Sequence, residues 1–433
     1  MRLSRIILTS GLAATLLLPS IAGATTTTTT TTTPPACQQL PKVGGVYKNC
    51  TWSGLALPGF NLTSTNLTGT NLSNADLSSA ILIGTNLTGT NLSGAKLDGV
   101  ISRGIVGTPS ALPPLWAVSQ GVLLGPKANL TGVDLRGIDV TGVSLRSATL
   151  AGVTTGGIVG STVQLPTGWL LASGYLVGPD SLLVGADLSG ADLTTASLKT
   201  ANLTRANLTR ANLTGVNLRG ATLTGSTLDS ATLTGASLAG VISGSVNGTP
   251  VAVPRLWGVL HGYVVGPGAV LRVARLAYTS FVGVSLQGAN LTNASLEYSN
   301  FTGVNLTSAN LNGASLSHAT LIGADLTETS LYKASATYAN ATQANFTHAN
   351  LTELNFTHAT ATNAVFIHSN LTKVDFASSN LTNANLSNAV IRGVLLGKTI
   401  LVGLLAAGTT GTPGSLPAKW TVKNGSIKGP GSR

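Results

Sequence analysis

The chain has 433 residues, of which only 9% are charged and 4% aromatic, with 52 glycines and a single methionine. Globular domains carry about 25% charged residues, so a row of ordinary domains is excluded and the surface must be built from Asn, Thr, Ser and Gly. Net charge is +11, but the cations form no basic stripe of the kind a nucleic-acid surface needs; residues 398–433 instead carry Lys398, Lys419, Lys423, Lys428 and Arg433 with no acid, a solvated end or a wall-polymer contact.

The first element, residues 1–24, reads MRLSRIILTSGLAATLLLPSIAGA. Arg2 and Arg5 precede a short apolar run, and Ala22-Gly23-Ala24 forms a small-residue cleavage site. That order predicts a secretory signal peptide cut near Ala24 and a mature protein that is secreted or held at the cell surface. No later stretch reaches the ~18 apolar residues of a membrane span, so no transmembrane anchor is expected. Residues 25–36 hold the threonine run Thr25–Thr33 and two prolines, a disordered spacer that cannot form a core.

Cys37 and Cys50 are the only cysteines. In an oxidising compartment they pair as one disulfide, and residues 37–54 are expected to form a disulfide-closed N-terminal cap.

Pentads follow over 55–99, 128–152, 181–240 and 269–403. The stretch ANLTRANLTRANLTG, from Ala201 to Gly215, shows the unit. A Leu or Phe centre recurs every fifth residue, with a small residue two before it and Asn, Asp, Ser or Thr one before. Neither a helix nor a strand has that period. Both the centre and the small residue therefore point inward, and the remaining positions turn the chain.

On these residues the chain resembles the pentapeptide-repeat family, whose repeat is A-(D/N)-L-x-x. The resemblance implies an all-β, right-handed quadrilateral β-helix with four pentads per coil. That makes about 13 coils and a rod about 60–65 Å long, and it implies that residues 20 apart stack, Phe346 on Phe366 and Phe356 on Phe376.

Four 28-residue insertions, 100–127, 153–180, 241–268 and 404–431, break the pentads. Their cores read LPPLWAVSQGVLLGP, LPTGWLLASGYLVGP, VPRLWGVLHGYVVGP and LPAKWTVKNGSIKGP. Each sets β-prone residues on either side of an x-Gly pair, which predicts a β-hairpin. The last is followed to residue 433 by the end of the basic tail. Trp116, Trp169, Trp257 and Trp420 align across the four. With Tyr175 and Tyr263 they are either packed against a coil face or exposed as a binding platform for a glycan or protein.

Catalytic and metal constellations are not found, and no cofactor is expected. Gly393 to Thr399 is one residue short of a phosphate loop. His318, His348, His358 and His368 sit two after a centre and face outward; His348 and His368, one coil apart, could reach only Glu328 as a third ligand. Asp134, Asp139, Asp187 and Asp192 occupy adjacent walls without converging. The sequence therefore reads as a non-enzymatic structural or binding rod whose partner, a cell-envelope polymer or protein, is unknown. The alternatives weighed are a gyrase-binding DNA mimic, which needs an acidic rod, a threonine-ladder ice- or mineral-binding solenoid, and a glycan-cleaving β-helix enzyme.

Overall fold

A computed structural model describes residues 35–160 and 164–430. The leader and its cleavage site lie outside the described residues, as does the spacer up to Pro34. Among the described residues no helix is long and apolar enough to cross a membrane.

Each pentad makes one short parallel bridge and one turn. Asn202 shows the bridge: it pairs with Leu182 on one side and with Thr222 on the other, 20 residues either way. The Asn202 N–H donates to Ser181 O at 2.9 Å, and the Leu203 N–H to Thr222 O at 2.8 Å. The corner follows. Ala206 N–H donates to Leu203 O at 3.0 Å, with Arg205 at φ 59°, the mark of a type II turn. The residue before the centre explains the Asn-Leu-Thr pattern. Asn202 Oδ1 accepts the Thr204 backbone N–H at 3.1 Å and its hydroxyl at 2.6 Å, tying the turn to the wall.

The inward pair is buried in most pentads; Leu203, Ala206, Leu208 and Ala211 have no exposed surface. Phe346 stacks on Phe366 with planes 1° apart at 4.8 Å. Phe356 and Phe376 also meet, but edge to face at 79° and 5.7 Å, the geometry favoured by the ring quadrupole where space allows it.

The four aligned units are not detached from this ladder. Ile101, Val106 and Ala111 bridge Ile81, Asn86 and Asn91 in unbroken register, while Ile101 pairs above with Asn129, 28 residues on. Each unit thus supplies three sides of a coil, and the residues beyond the usual 20 are a hairpin. The hairpins are β1 (Ala117–Ser119) with β2 (Val122–Leu124), β3 (Leu170–Ala172) with β4 (Tyr175–Val177), β5 (Gly258–Leu260) with β6 (Tyr263–Val265), and β7 (Thr421–Lys423) with β8 (Ser426–Lys428), all antiparallel. Their turns hold two positive-φ residues, such as Asn424 at 46° and Gly425 at 67°, the type I′ geometry of tight hairpins.

The second strand enters the core. Val122, Leu123 and Leu124 are all buried. Alternate strand residues point to opposite faces, and accordingly Leu123 packs with the N-terminal core while Val122 and Leu124 pack with the next one. This explains why the pentad centre is lost there. Ser102, Thr155 and Ser243 stand where Leu is the rule, and their hydroxyls accept the N–H of Leu123, Leu176 and Val264 at 2.8, 3.2 and 2.9 Å. A leucine would leave those buried donors without a partner.

The ladder begins earlier than the pentad pattern indicates, at Val46 paired with Asn66. The coil therefore starts at Val46, within the stretch 37–54 expected from sequence as the disulfide-closed cap. Cys50 and Trp52 take the inward slots, and both are buried. The Cys37–Cys50 disulfide is formed, and the Trp52 indole N–H donates to Cys37 O at 3.1 Å. At the other end Ile427 of β8 is buried against the last coils.

Candidate functional site

The six aromatic residues singled out from the sequence are half-buried. Each tryptophan follows a turn in which its N–H donates to a proline carbonyl, at 3.0–3.2 Å from Pro113, Pro166, Pro254 or Pro417. The residue before it, Leu115, Gly168, Leu256 or Lys419, has φ between 68° and 81°. The turn lays the indole over the glycine that ends the second strand. A Cβ on Gly125, Gly178 or Gly266 would come within 2.0–2.1 Å of the ring of Trp116, Trp169 or Trp257, and one on Gly429 within 2.6 Å of Trp420. The Gly-Pro at the end of every hairpin is thus a seat for the indole, which gives one face to packing. Tyr175 lies over Gly156 and Tyr263 over Gly244, and the Tyr263 hydroxyl accepts the Arg275 N–H at 3.2 Å.

The most exposed aromatic surface lies elsewhere and was not recognised from the sequence. Tyr278, Tyr298, His318, Tyr338 and His358 occupy the same turn position in five successive coils. Their rings stack in one column, with centroids 4.9, 4.6, 5.0 and 4.8 Å apart and planes within 8° of parallel. Tyr278 at the foot is 73% exposed. Every member sits at φ 56–61°, a left-handed conformation that disfavours any side chain and suits Gly or Asn. The faces are spent on one another, so the column offers solvent a line of ring edges, phenol hydroxyls and imidazole nitrogens. The signal lies in the sequence: the five residues are spaced by 20 in one pentad slot.

His348 and His368 form a second, shorter stack, parallel within 4° at 5.0 Å. Ring faces in contact do not converge on an ion, and no group of three metal-ligating side chains occurs among the described residues. The phosphate-loop look-alike is ordinary coil. Thr399 is buried, and its hydroxyl donates to Phe376 O at 2.7 Å.

The wall aspartates act as turn acceptors. Asp134 accepts from the Arg136 backbone at 3.1 Å and from its guanidinium at 2.6–3.1 Å, which pulls its pKa down to about 2. Hydrogen bonds from Ser78, Thr141 and Ser189 lower Asp76, Asp139 and Asp187. A general acid needs the opposite shift. Most threonine hydroxyls after the centre are similarly engaged where Asn precedes it, as in Thr204.

Comparison with known proteins supplies the family. The sequence profile described as pentapeptide repeats matches residues 61–99, 127–154, 181–240 and 269–397 in overlapping copies. No curated protein matches. Among solved structures the chain is similar to HetL, a pentapeptide repeat protein involved in heterocyst differentiation regulation from the cyanobacterium Nostoc sp. strain PCC 7120. The identity is 25%, over 54% of this chain and 91% of that one, with a TM-score of 0.34. It is also similar to a pentapeptide repeat protein of the Arabidopsis thaliana thylakoid lumen, at 26% identity over 22% of this chain and 65% of the other, TM-score 0.21. A third is QnrB1, a plasmid-mediated fluoroquinolone resistance protein, at 16% identity over 51% and 88%, TM-score 0.20. On the profile match, which covers most of the chain, this protein belongs to the pentapeptide repeat family and has its right-handed β-helix fold.

Proposed function

We propose that the chain is an exported, non-enzymatic rod of square cross-section that works through its outer surface, as a structural or binding element at the cell envelope or outside the cell. The observation that carries this reading is the filled core. The inward positions are closed by Leu, Phe, Ala, Val or Ile, or by a buried Thr or Ser such as Thr85 or Ser379 whose hydroxyl donates to a backbone carbonyl, with hairpin strands filling the space at Ser102, Thr155 and Ser243. Only walls and corners remain to meet a partner. The wall carboxylates with shifted pKa are held ionised, which disfavours a glycosidase reading. A net charge of +11 disfavours a DNA mimic. Threonine hydroxyls committed to neighbouring Asn disfavour an ice-binding ladder.

The six residues of the expected tryptophan platform are half-buried, whereas Tyr278, Tyr298 and Tyr338 are 73%, 49% and 54% exposed, so the Tyr278–His358 column is the better binding surface for an envelope polymer or protein. The Cys37–Cys50 disulfide, near the leader, supports export, and the Cys37–Trp52 region and the last hairpin serve as end caps. Expression with and without residues 1–24, followed by fractionation and thiol labelling, tests export. Oxidised protein outside the cytoplasm only when the leader is present supports it; reduced protein in the cytoplasm in both cases would sink it.

A further inference from the structure

The outward wall position, one before each centre, changes character at the C-terminal end. From Arg275 to Asn385 it holds Arg, Asn, Asp, Ser or Thr in every pentad except the one at Val365. The next four are Val390, Leu395, Ile400 and Leu405, one on each side of a single coil. Val390 is half-buried, while Leu395, Ile400 and Leu405 are 39%, 51% and 58% exposed; Val402, at the adjoining corner, is 66% exposed. Backbone preference does not account for the change, because the polar residues occupy the same bridges in the coils below. The ring is an apolar collar around the rod.

Charge changes at the same place. No acidic residue follows Asp375, while Arg392 and Lys398 lie on corners of the collar coil and Lys419 and Lys423 lie in or beside the last hairpin. All four are exposed. The collar is one ladder step from the final coil, since Val390 pairs with Thr410 and Leu395 with Ser415. That step is about 5 Å, within the ~5–10 Å to which interfacial apolar surface sinks into a bilayer. Lysine stems are long enough to keep their ammonium groups among the headgroups while the collar sits deeper.

We propose that the C-terminal end of the rod docks on a bilayer surface bearing anionic lipid headgroups, with the collar in the interfacial layer and the cations on the headgroups. An anionic wall polymer would satisfy the lysines but gives no role to four apolar residues turned outward together, so the lipid surface fits both observations. The proposal does not rest on export, because the surface can be offered directly to the purified protein.

The test uses residues 25–433, which retain every coil, hairpin and the disulfide and lack the apolar leader that would itself enter lipid. Flotation is measured with phosphatidylcholine vesicles with and without phosphatidylglycerol. Binding only to the anionic vesicles, weakened by salt, is expected. Lys398→Gln with Lys419→Gln and Lys423→Gln should weaken it roughly a hundredfold at low salt, about fivefold per cation. Leu395→Asn, Ile400→Thr, Val402→Asn and Leu405→Asn together should weaken it at least about tenfold. Leu405→Asn alone serves if the quadruple variant melts early. No flotation, or equal flotation on phosphatidylcholine alone, overturns the proposal. So does a folded collar variant that binds like the parent while the lysine variant does not; retention of that collar variant on polyanion-coated beads would then assign the end to a wall polymer.

Discussion

A glycine can be demanded by its neighbour rather than by its own backbone. Gly266 has ordinary φ, yet a Cβ there would meet the Trp257 ring at 2.1 Å, and a rigid indole cannot yield without leaving its seat. Gly266→Ala is expected to destabilise by about 1–3 kcal/mol, the range for overpacking, in a denaturant titration. A variant equal to the parent would mean that the indole is not held there. Asp134 offers a charge test at the same scale. Its folded pKa, about 2, lies below the ordinary ~3.9, so its contribution is present above the ordinary value and is lost as pH falls through about 2. The side chain is half exposed, and the effect on stability is correspondingly small. Carboxyl NMR should therefore read the titration directly, with a midpoint near 2 that returns toward ~3.9 in Arg136→Gln; no movement would detach the shift from the guanidinium.

At the scale of one element, the exposed ring column sets two effects against each other. Each member pays about 1–2 kcal/mol for a left-handed backbone and recovers about 0.5–1.5 kcal/mol per stacked neighbour. Tyr298 has a ring on both sides and Tyr278 on one. Tyr298→Asn is expected to stay within about 1 kcal/mol of the parent, and Tyr278→Asn to be more stable than Tyr298→Asn. Thermal melts that put Tyr278→Asn lowest would refute this balance and point to contacts between Tyr278 and the hairpin below it, where the neighbouring Thr279 hydroxyl meets His261 Nδ1 at 2.8 Å. The hairpins solve another problem of this scale. A lone hairpin is marginal in water; in the first three the second strand is largely buried in the bore, in the last Ile427 is, and in each the tryptophan closes over the strand's end.

Across the whole molecule, stability is nearly a sum over coils and their nearest neighbours, which makes the ends the weak points. The disulfide ties the chain ahead of the first bridge to an inward slot of the first coil, across a sequence separation of 13. Cys37→Ser should cost up to about 3 kcal/mol, and hydrogen exchange should quicken in residues 46–66 before it changes in the central coils. Uniform quickening would mean that the rod melts as one unit. The second strands of the first two hairpins lie across the bore, Leu123 and Leu176 packing with the core before them and Leu124 and Val177 with the core after. They divide the interior into successive cores without interrupting the ladder.

The sequence by itself determined the repeat, the inward pair, the cysteine pairing and the places of the four hairpin turns. Each of these follows from local chemistry: a five-residue period, a single pair of cysteines, or a glycine where φ is positive. Tertiary structure alone decided that each hairpin-bearing unit also builds three sides of a coil, because that depends on what Ile101 or Ile242 meets one coil away. It also put Ser102, Thr155 and Ser243 under a buried strand, seated each tryptophan on a glycine nine residues along the chain, and gathered five turn residues into one column. Residues distant in sequence become neighbours only when the chain has closed each coil on the one before, and the collar at the C-terminal end is visible only once its four residues are known to face outward together.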